Sequence, residues 1–234
     1  MSFSVTLYIA RHGKTVFNSL GKVQGWCDSP LTEEGEAVAR NLGKGLRHIN
    51  FSAVYTSDLN RTKQTAEILF ESQGQTDLPI NQLEGLKEAC FGSFESGFST
   101  DLWRMIVEYL GHKNKEGESL KNLRKSVDAK DTLNTSKHLD KTGEAEGFDD
   151  VQKRTHAALD FIIHKEKEED KNINILVISH VMAIRVMLDK FGGEQLMTND
   201  YIDNASVSKL VYKDDKLELM SIGDLSYVRK GELL

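Results

Sequence analysis

The sequence predicts an α/β protein, a three-layer α/β/α sandwich around a mostly parallel central sheet. Three observations lead there: short β-rich apolar runs alternate with stretches of helical periodicity, chemically capable residues stand where those runs stop, and one run is apolar on both faces. Val5-Thr6-Leu7-Tyr8-Ile9-Ala10 is the first run, and it stops at Arg11-His12-Gly13, the pattern of a buried strand entering a loop. Thr32 followed by Glu33 and Glu34 reads as a helix start, an N-cap hydroxyl with acids at the positive dipole end. Val38, Leu42, Leu46 and Ile49 then recur at helical spacing.

Ala53-Val54-Tyr55 is a second short strand, and Ser57 or Asp58 can cap a helix carrying Leu59, Ala66, Leu69 and Phe70 on its apolar side. Arg61 falls in its first turn. Pro79 to Leu86 reads as a third strand or extended edge. From about Ala89 to Gly147 the alternation breaks down: one helix is expected around Trp103 to Leu110, then a Lys-, Asp- and Glu-rich stretch of little periodicity. This segment, 89–147, reads as a helical or loop insertion lying over the site as a lid.

Periodicity returns with Val151, Thr155, Ala158, Leu159 and Ile162 in a helix leading to Ile173-Asn174-Ile175-Leu176-Val177-Ile178. Near-continuous apolar character suits a central parallel strand buried on both faces. It ends at Ser179-His180, before a helix with Ile184, Leu188 and Phe191, and ribbons near Ser206 to Tyr212 and Leu217 to Ile222 predict a hairpin around Asp214-Asp215.

Bulk properties bound the function. The 234 residues, 39% hydrophobic and 28% charged, suit one domain spanning 1–234 with ample apolar material for a core. With 36 acidic against 30 basic residues the net charge is −6, which argues against a nucleic-acid backbone or an anionic membrane as partner. The N-terminal residues lack the basic start and apolar run of a signal peptide, and no stretch approaches the roughly 18 apolar residues of a membrane span. A cytoplasmic protein is expected. Cys27 and Cys90 have neither disulfide nor zinc-ligand spacing and read as ordinary thiols.

Of seven histidines, only His12 and His180 lie at the ends of predicted buried strands, where open parallel sheets bind ligands. His48, His112, His138, His156 and His164 fall on helices or charged loops and read as exposed or merely packed. A lone strand-end histidine would read the same way, but His12 has company: Arg11 beside it, Thr15 and Asn18 just after it, and Arg61 on the helix after the next strand. Arginine forks and helix N-termini are groups that bind phosphate oxygens.

These residues resemble the histidine phosphatase superfamily, the phosphoglycerate mutase-like family. The likeness runs through Leu7-Tyr8-Ile9-Ala10-Arg11-His12-Gly13-Lys14-Thr15-Val16-Phe17-Asn18, Gln24-Gly25, Asp28-Ser29-Pro30-Leu31-Thr32 with Gly35, Ser57-Asp58-Leu59 with Arg61 and Gln64-Thr65-Ala66, Leu86-Lys87-Glu88 with Phe91-Gly92 and Glu95, and Ser179-His180. Arg-His-Gly alone would be weak; these blocks in the family's order and spacing carry the resemblance across almost the whole chain. It implies a phosphoglycerate mutase-like fold and a set of roles. His12 would be the nucleophile that forms a phosphohistidine, and Arg11, Arg61 and His180 would stabilise the equatorial oxygens without a metal or other cofactor. Glu88 would protonate the leaving alkoxide and later activate water. Thr15, Asn18, Gln24, Gly25 and Val181 would contact phosphate or substrate, and Glu95 would order the site.

The chain departs from the family twice. Glycines commonly follow the second histidine, but here Val181-Met182 stand there, a change expected to narrow the pocket or alter its turn. The glycolytic mutases carry a tyrosine and a lysine-rich motif after the acidic residue, where this chain has Cys90 to Phe98 and no basic cluster. Hydrolysis of a small phosphomonoester is therefore the leading expectation, and phosphoglycerate mutase-type transfer the alternative. A catalytically silent phosphopeptide- or ligand-binding module is the third reading, opposed by the joint presence of His12, Glu88 and both arginines. Gly13-Lys14-Thr15 imitates the end of a Walker A loop, but Tyr8 occupies the position where that loop needs glycine. Phe91, Phe94, Phe98 and Trp103 could line the site, although a core for the lid is the preferred reading. The expected partner is a small phosphorylated metabolite; a homodimer is compatible with the sequence but not specified by it.

Overall fold

The computed structural model describes residues 3–111, 127–167, 171–192 and 202–234. Its centre is a six-stranded sheet built from β1 (Ser4–Arg11), β2 (Ala53–Thr56), β3 (Ile80–Gln82), β4 (Asn172–Ser179), β5 (Val207–Lys213) and β6 (Lys216–Asp224), in the order β3-β2-β4-β1-β5-β6. The pairs β3/β2, β2/β4 and β4/β1 are parallel, and β5 joins β1 and β6 in antiparallel sense. The sheet is thus mostly parallel, with a hairpin on one edge as expected. Asp214 and Asp215 form that turn at φ 49° and 58°, a left-handed pair that matches the strands' twist.

Strand alternation feeds two cores. Val5, Leu7 and Ile9 of β1 face one core, which includes Leu159 and Ile162 from α6 (Phe148–Glu166) and Ile184, Met187 and Leu188 from α7 (Val181–Gly192). Tyr8 and Ala10 face the other, with Leu42 and Leu46 of α2 (Glu33–Leu46), Leu69 and Phe70 of α3 (Asn60–Gln73), and Val228 of α8 (Ser226–Glu232). Helices on both faces make the three layers. Thr32 caps α2, its side chain accepting from Gly35 N.

Four expectations need correction. Pro79 to Leu86 is strand only at β3, and a 3₁₀ turn follows at Glu84–Leu86 because Ser179 Oγ draws the Leu86 carbonyl to the end of β4. Neither Ser57 nor Asp58 caps α3; Leu59 holds that position without a side-chain bond, since Ser57 turns to His180 and Asp58 to Lys87. The described part of 89–147 is more ordered than its charge suggested. Besides α4 (Ser99–Tyr109) it holds α5 (Ala129–Leu139), N-capped by Asp128, and a third core joins Phe91, Leu102, Ile106 and Leu133 to Met182 and Val186 of α7. Phe94 and Trp103 pack against that core as preferred, but Phe98 stays 57% exposed. Residues 112–126 of the insertion, His112 among them, lie outside the described residues.

Candidate active site

The site forms at the carboxyl end of the parallel strands. Arg11 closes β1 opposite Ser179, which closes β4, and His12 N donates to Ser179 O at 3.0 Å, so the two strand-end histidines are brought side by side. Their rings lie 5.1 Å apart between centroids. Ser57, just beyond β2, is tied to the same edge through its N–H to Ile178 O at 3.2 Å. Parallel register therefore converges three loops on one point, as ligand sites of open α/β sheets require.

His12 is almost wholly buried, and its Nδ1 lies 2.7 Å from Gly13 O. A carbonyl only accepts, so Nδ1 carries the proton and Nε2 keeps its lone pair. Burial, then the charges of Arg61 and Arg11, hold this imidazole well below its ordinary pKa, against the opposing pull of the Gly13 carbonyl. The ring is neutral at physiological pH. Asn204 Nδ2 donates to His12 O at 2.9 Å, and Gly13 N donates to Thr65 Oγ1 at 3.0 Å, which fixes the backbone on both sides of the ring.

Arg61 has no exposed surface. Its Nε donates to His180 Nδ1 at 3.1 Å, Nη1 to Cys27 O and Asp28 Oδ1 at 2.9 Å each, and Nη2 to Gly25 O at 2.7 Å. Four of its donors are thus engaged by protein, and the second N–H of Nη2 has no hydrogen-bond partner among the described residues. Arg61 offers a ligand one donor and its charge rather than a whole fork. Arg11, also buried, donates from Nη1 to Ile202 O at 2.7 Å.

His180 follows β4 and precedes α7, with Ile184 N donating to its carbonyl at 2.8 Å. Its Nδ1 accepts from Arg61 and its Nε2 lies 2.7 Å from Ser57 Oγ, so both ring nitrogens are engaged. Burial, then Arg61, lowers its pKa well below the ordinary value. The arginines therefore carry the positive charge of the pocket, and His180 contributes hydrogen bonds rather than charge.

Glu88 is 4% exposed, its Oε1 accepting from Ala89 N at 3.0 Å and Ala183 N at 2.9 Å, its Oε2 from Met182 N at 3.2 Å. Burial raises its pKa, opposed by those three N–H groups and by Arg61. A carboxyl that burial makes a better holder of a proton suits the part of a general acid. The N–H groups of Met182 and Ala183 come from the first turn of α7, so the Val181-Met182 departure leaves a turn that serves Glu88. Val181 itself is half-buried and packs against two of the apolar cores.

The other named residues build the rim. Thr15 and Asn18 cap each other at the start of the short helix α1 (Val16–Ser19), and Thr15 Oγ1 donates to Gln24 Oε1 at 2.6 Å. Gln24 Nε2 is buried with no hydrogen-bond partner among the described residues. Gly25 is a loop residue: its N–H, with those of Trp26, Cys27 and Phe91, donates to the Glu95 carboxylate at 2.9–3.1 Å. Glu95 orders the loop that holds Arg61, as the resemblance implied.

Sequence reading missed Ser57 as a partner of His180, Asn204, and the Arg154–Glu146 pair behind Glu88. One signal for Arg154 was available: it stands between Val151 and Ala158 at i+3, a charge set into the apolar stripe of its helix. Among the described residues, no three His, Cys, Asp or Glu side chains gather to hold a metal ion, and no helix is long and apolar enough to cross a membrane. His48, His138 and His164 are exposed and His156 half-buried, as read from the sequence.

Comparison with known proteins supplies the class. Residues 7–129 and 113–225 match the histidine phosphatase superfamily, branch 1, and the chain belongs to that superfamily. A phosphoglycerate mutase crystal structure from Bacillus anthracis superposes with a TM-score of 0.88 at 35% identity, covering 99% of this chain and 98% of that one. A metal-independent phosphoserine phosphatase from Arabidopsis thaliana is 29% identical over 226 residues, 95% of this chain and 82% of that protein. A 2,3-bisphosphoglycerate-dependent phosphoglycerate mutase from Gloeobacter violaceus is 34% identical over 89 residues, so the match spans only 41% of the mutase's length.

Proposed function

We propose that this protein is a metal-independent phosphatase that hydrolyses small phosphomonoesters through a phosphohistidine on His12. The observation that carries the reading is the bond between His12 Nδ1 and Gly13 O at 2.7 Å, which leaves Nε2 unprotonated beside buried arginines and a buried carboxyl. In the first step Nε2 attacks phosphorus, the bond to the leaving oxygen breaks, and Glu88 gives that oxygen its proton. Arg11 and Arg61 offset charge on the transferring oxygens; His180 holds Arg61 in place and reaches an oxygen itself only by releasing Ser57. In the second step Glu88, now a carboxylate, takes a proton from water as it attacks the phosphohistidine. Phosphate leaves and both groups return to their starting forms. Gln24 Nε2 is the further donor suited to a phosphoryl oxygen.

Similarity to the Arabidopsis phosphoserine phosphatase over nearly the whole chain supports hydrolysis, and so does a Cys90 to Phe98 segment without lysine or arginine to hold a second anionic group. A phosphoglycerate mutase is the second reading, favoured by the 35% identity to the Bacillus anthracis enzyme. The same proposal takes a small phosphorylated metabolite as the partner, the cytoplasm as the location and one domain over 1–234; a homodimer is compatible with it.

The test is an assay of chelator-treated wild type and His12→Ala on a panel of phosphomonoesters including phosphoserine and 3-phosphoglycerate, with phosphate and 2-phosphoglycerate detected separately. Phosphate release that survives the chelator and vanishes in His12→Ala is the expected result. Isomer formation without phosphate makes the protein a mutase, and binding of phosphate without turnover makes it a silent binding module.

A further inference from the structure

We propose that Arg154 is a positioning residue for the Glu88 carboxyl, acting together with Glu146 through the backbone on both sides of Glu88. The proposal rests on the reading of Glu88 as proton donor. Arg154 projects from the apolar stripe of α6, where Val151 and Ala158 are buried, and its side chain is 19% exposed. All five guanidinium N–H groups find acceptors. Nε and Nη2 reach Glu146 Oε1 and Oε2 at 2.7 and 2.8 Å, Nη1 reaches Gly85 O at 3.1 Å and Lys87 O at 2.7 Å, and Nη2 also reaches Glu88 O at 2.9 Å. Glu146 continues the clamp: its Oε2 accepts from Cys90 N at 2.9 Å, and its own N–H donates to Cys90 O at 3.0 Å. The chain is therefore gripped at 85, 87, 88 and 90 by one ion pair.

No secondary structure does this work. Glu88 lies between the 3₁₀ turns Glu84–Leu86 and Gly92–Phe94, outside every strand, so its backbone is placed by such bonds, to which Trp26 adds one from Nε1 to Glu88 O at 2.9 Å. The carboxyl is held at its far end by N–H groups of α7, and the clamp fixes the near end. A planar fork with five donors fits this task, whereas a lysine, with three donors around one point charge, does not. Because Glu146 stands near the end of the 89–147 insertion, the clamp also ties that end of the insertion to the proton donor.

Loss of positioning has a signature that loss of folding lacks. The alkoxide expelled from an alkyl phosphate must receive a proton as its P–O bond breaks, while p-nitrophenyl phosphate expels p-nitrophenolate, which is stable without one. We would measure single-turnover phosphorylation of the enzyme by rapid quench, with glycerol phosphate and p-nitrophenyl phosphate, for wild type, Glu88→Gln, Arg154→Met, Arg154→Lys and Glu146→Gln. Glu88→Gln should slow the alkyl substrate by about 100-fold or more and the aryl substrate far less. Arg154→Met should follow the same pattern, roughly 10- to 100-fold on the alkyl substrate and within about threefold on the aryl one, with Arg154→Lys between it and wild type.

Equal losses on both substrates would assign Arg154 to stability alone and overturn the proposal. If Arg154→Met does not fold, Glu146→Gln must show the leaving-group dependence, and its absence overturns the proposal equally. A Glu88→Gln variant without that dependence would instead remove Glu88 as proton donor, a failure of the underlying reading that the Arg154 variants cannot imitate.

Discussion

Arg61 donates from Nε to Nδ1 of His180 at 3.1 Å, and this bond fixes the protonation of the second strand-end histidine. A guanidinium only donates, so Nδ1 must accept and the ring proton sits on Nε2, directed at Ser57 Oγ 2.7 Å away. Arg61 thereby joins two strand ends, β2 through Ser57 and β4 through His180, to the Gly25–Asp28 loop.

Replacing Arg61 should cost more than one charge. Arg61→Ala is expected to lower turnover roughly 10²- to 10³-fold, the scale for losing one charge-stabilising group. Arg61→Lys should recover less than about tenfold of that, because an ammonium cannot reach His180, Cys27 O, Asp28 and Gly25 O together. Steady-state kinetics on variants shown by thermal melting to be folded decides the point, and a variant with full activity removes Arg61 from the site.

The two buried histidines should make stability pH-dependent. Both are held well below the ordinary value by burial and by Arg61, whereas in the unfolded chain each takes a proton near about 6.5. Below that pH the unfolded state binds more protons than the folded one, so the stability present above it is lost as pH falls toward the folded values. Melting temperature should therefore drop from pH 7.5 to 5, and His12→Asn should drop less steeply than wild type. Parallel slopes would mean that His12 is protonated as readily in the folded protein as in the unfolded one.

The strands, the central helices and most of the site were legible because each rests on local pattern: Ile173 to Ile178 is apolar at nearly every position, and Arg11-His12 stands where such a run stops. Helix α5 was not, because the charges around it obscure its buried Leu133, which packs into the third core. The role of Ser57 was also hidden, for it depends on a partner 123 residues away, and the same hydroxyl serves equally as a cap when only neighbours are considered. Arg154 and Glu146 stand only eight apart, yet their shared target is the backbone at 85–90, which no side-chain pattern records.

Gly25 should tolerate no side chain. A Cβ there would lie 2.2 Å from Glu95 Oε1 and 2.3 Å from Ala89 O, and the second of these is backbone that cannot swing aside. Gly25→Ala is expected to destabilise the fold by about 1–3 kcal/mol, as overpacking does, and to lower activity by displacing the carbonyl that holds Arg61 Nη2. Denaturant unfolding with activity measured on the same preparation checks both. Unchanged stability would show that the loop can shift, and unchanged activity that Arg61 does not need it.

Gln24 should reveal itself by its response to phosphate. Its Oε1 accepts from Thr15 while its Nε2 is buried without a hydrogen-bond partner among the described residues, an arrangement that a phosphoryl oxygen would complete. Gln24→Glu keeps the acceptor for Thr15 and turns the unused donor into an anion. A hydrogen bond to a charged group contributes about 1.5–3 kcal/mol, so inorganic phosphate should inhibit the variant at least about tenfold more weakly than wild type. The stabilisation of wild type by saturating phosphate, read as a rise in melting temperature, should shrink in the variant at the same concentration. Equal inhibition constants and equal shifts would place Gln24 Nε2 outside the phosphate pocket and leave its amide a structural partner of Thr15 alone.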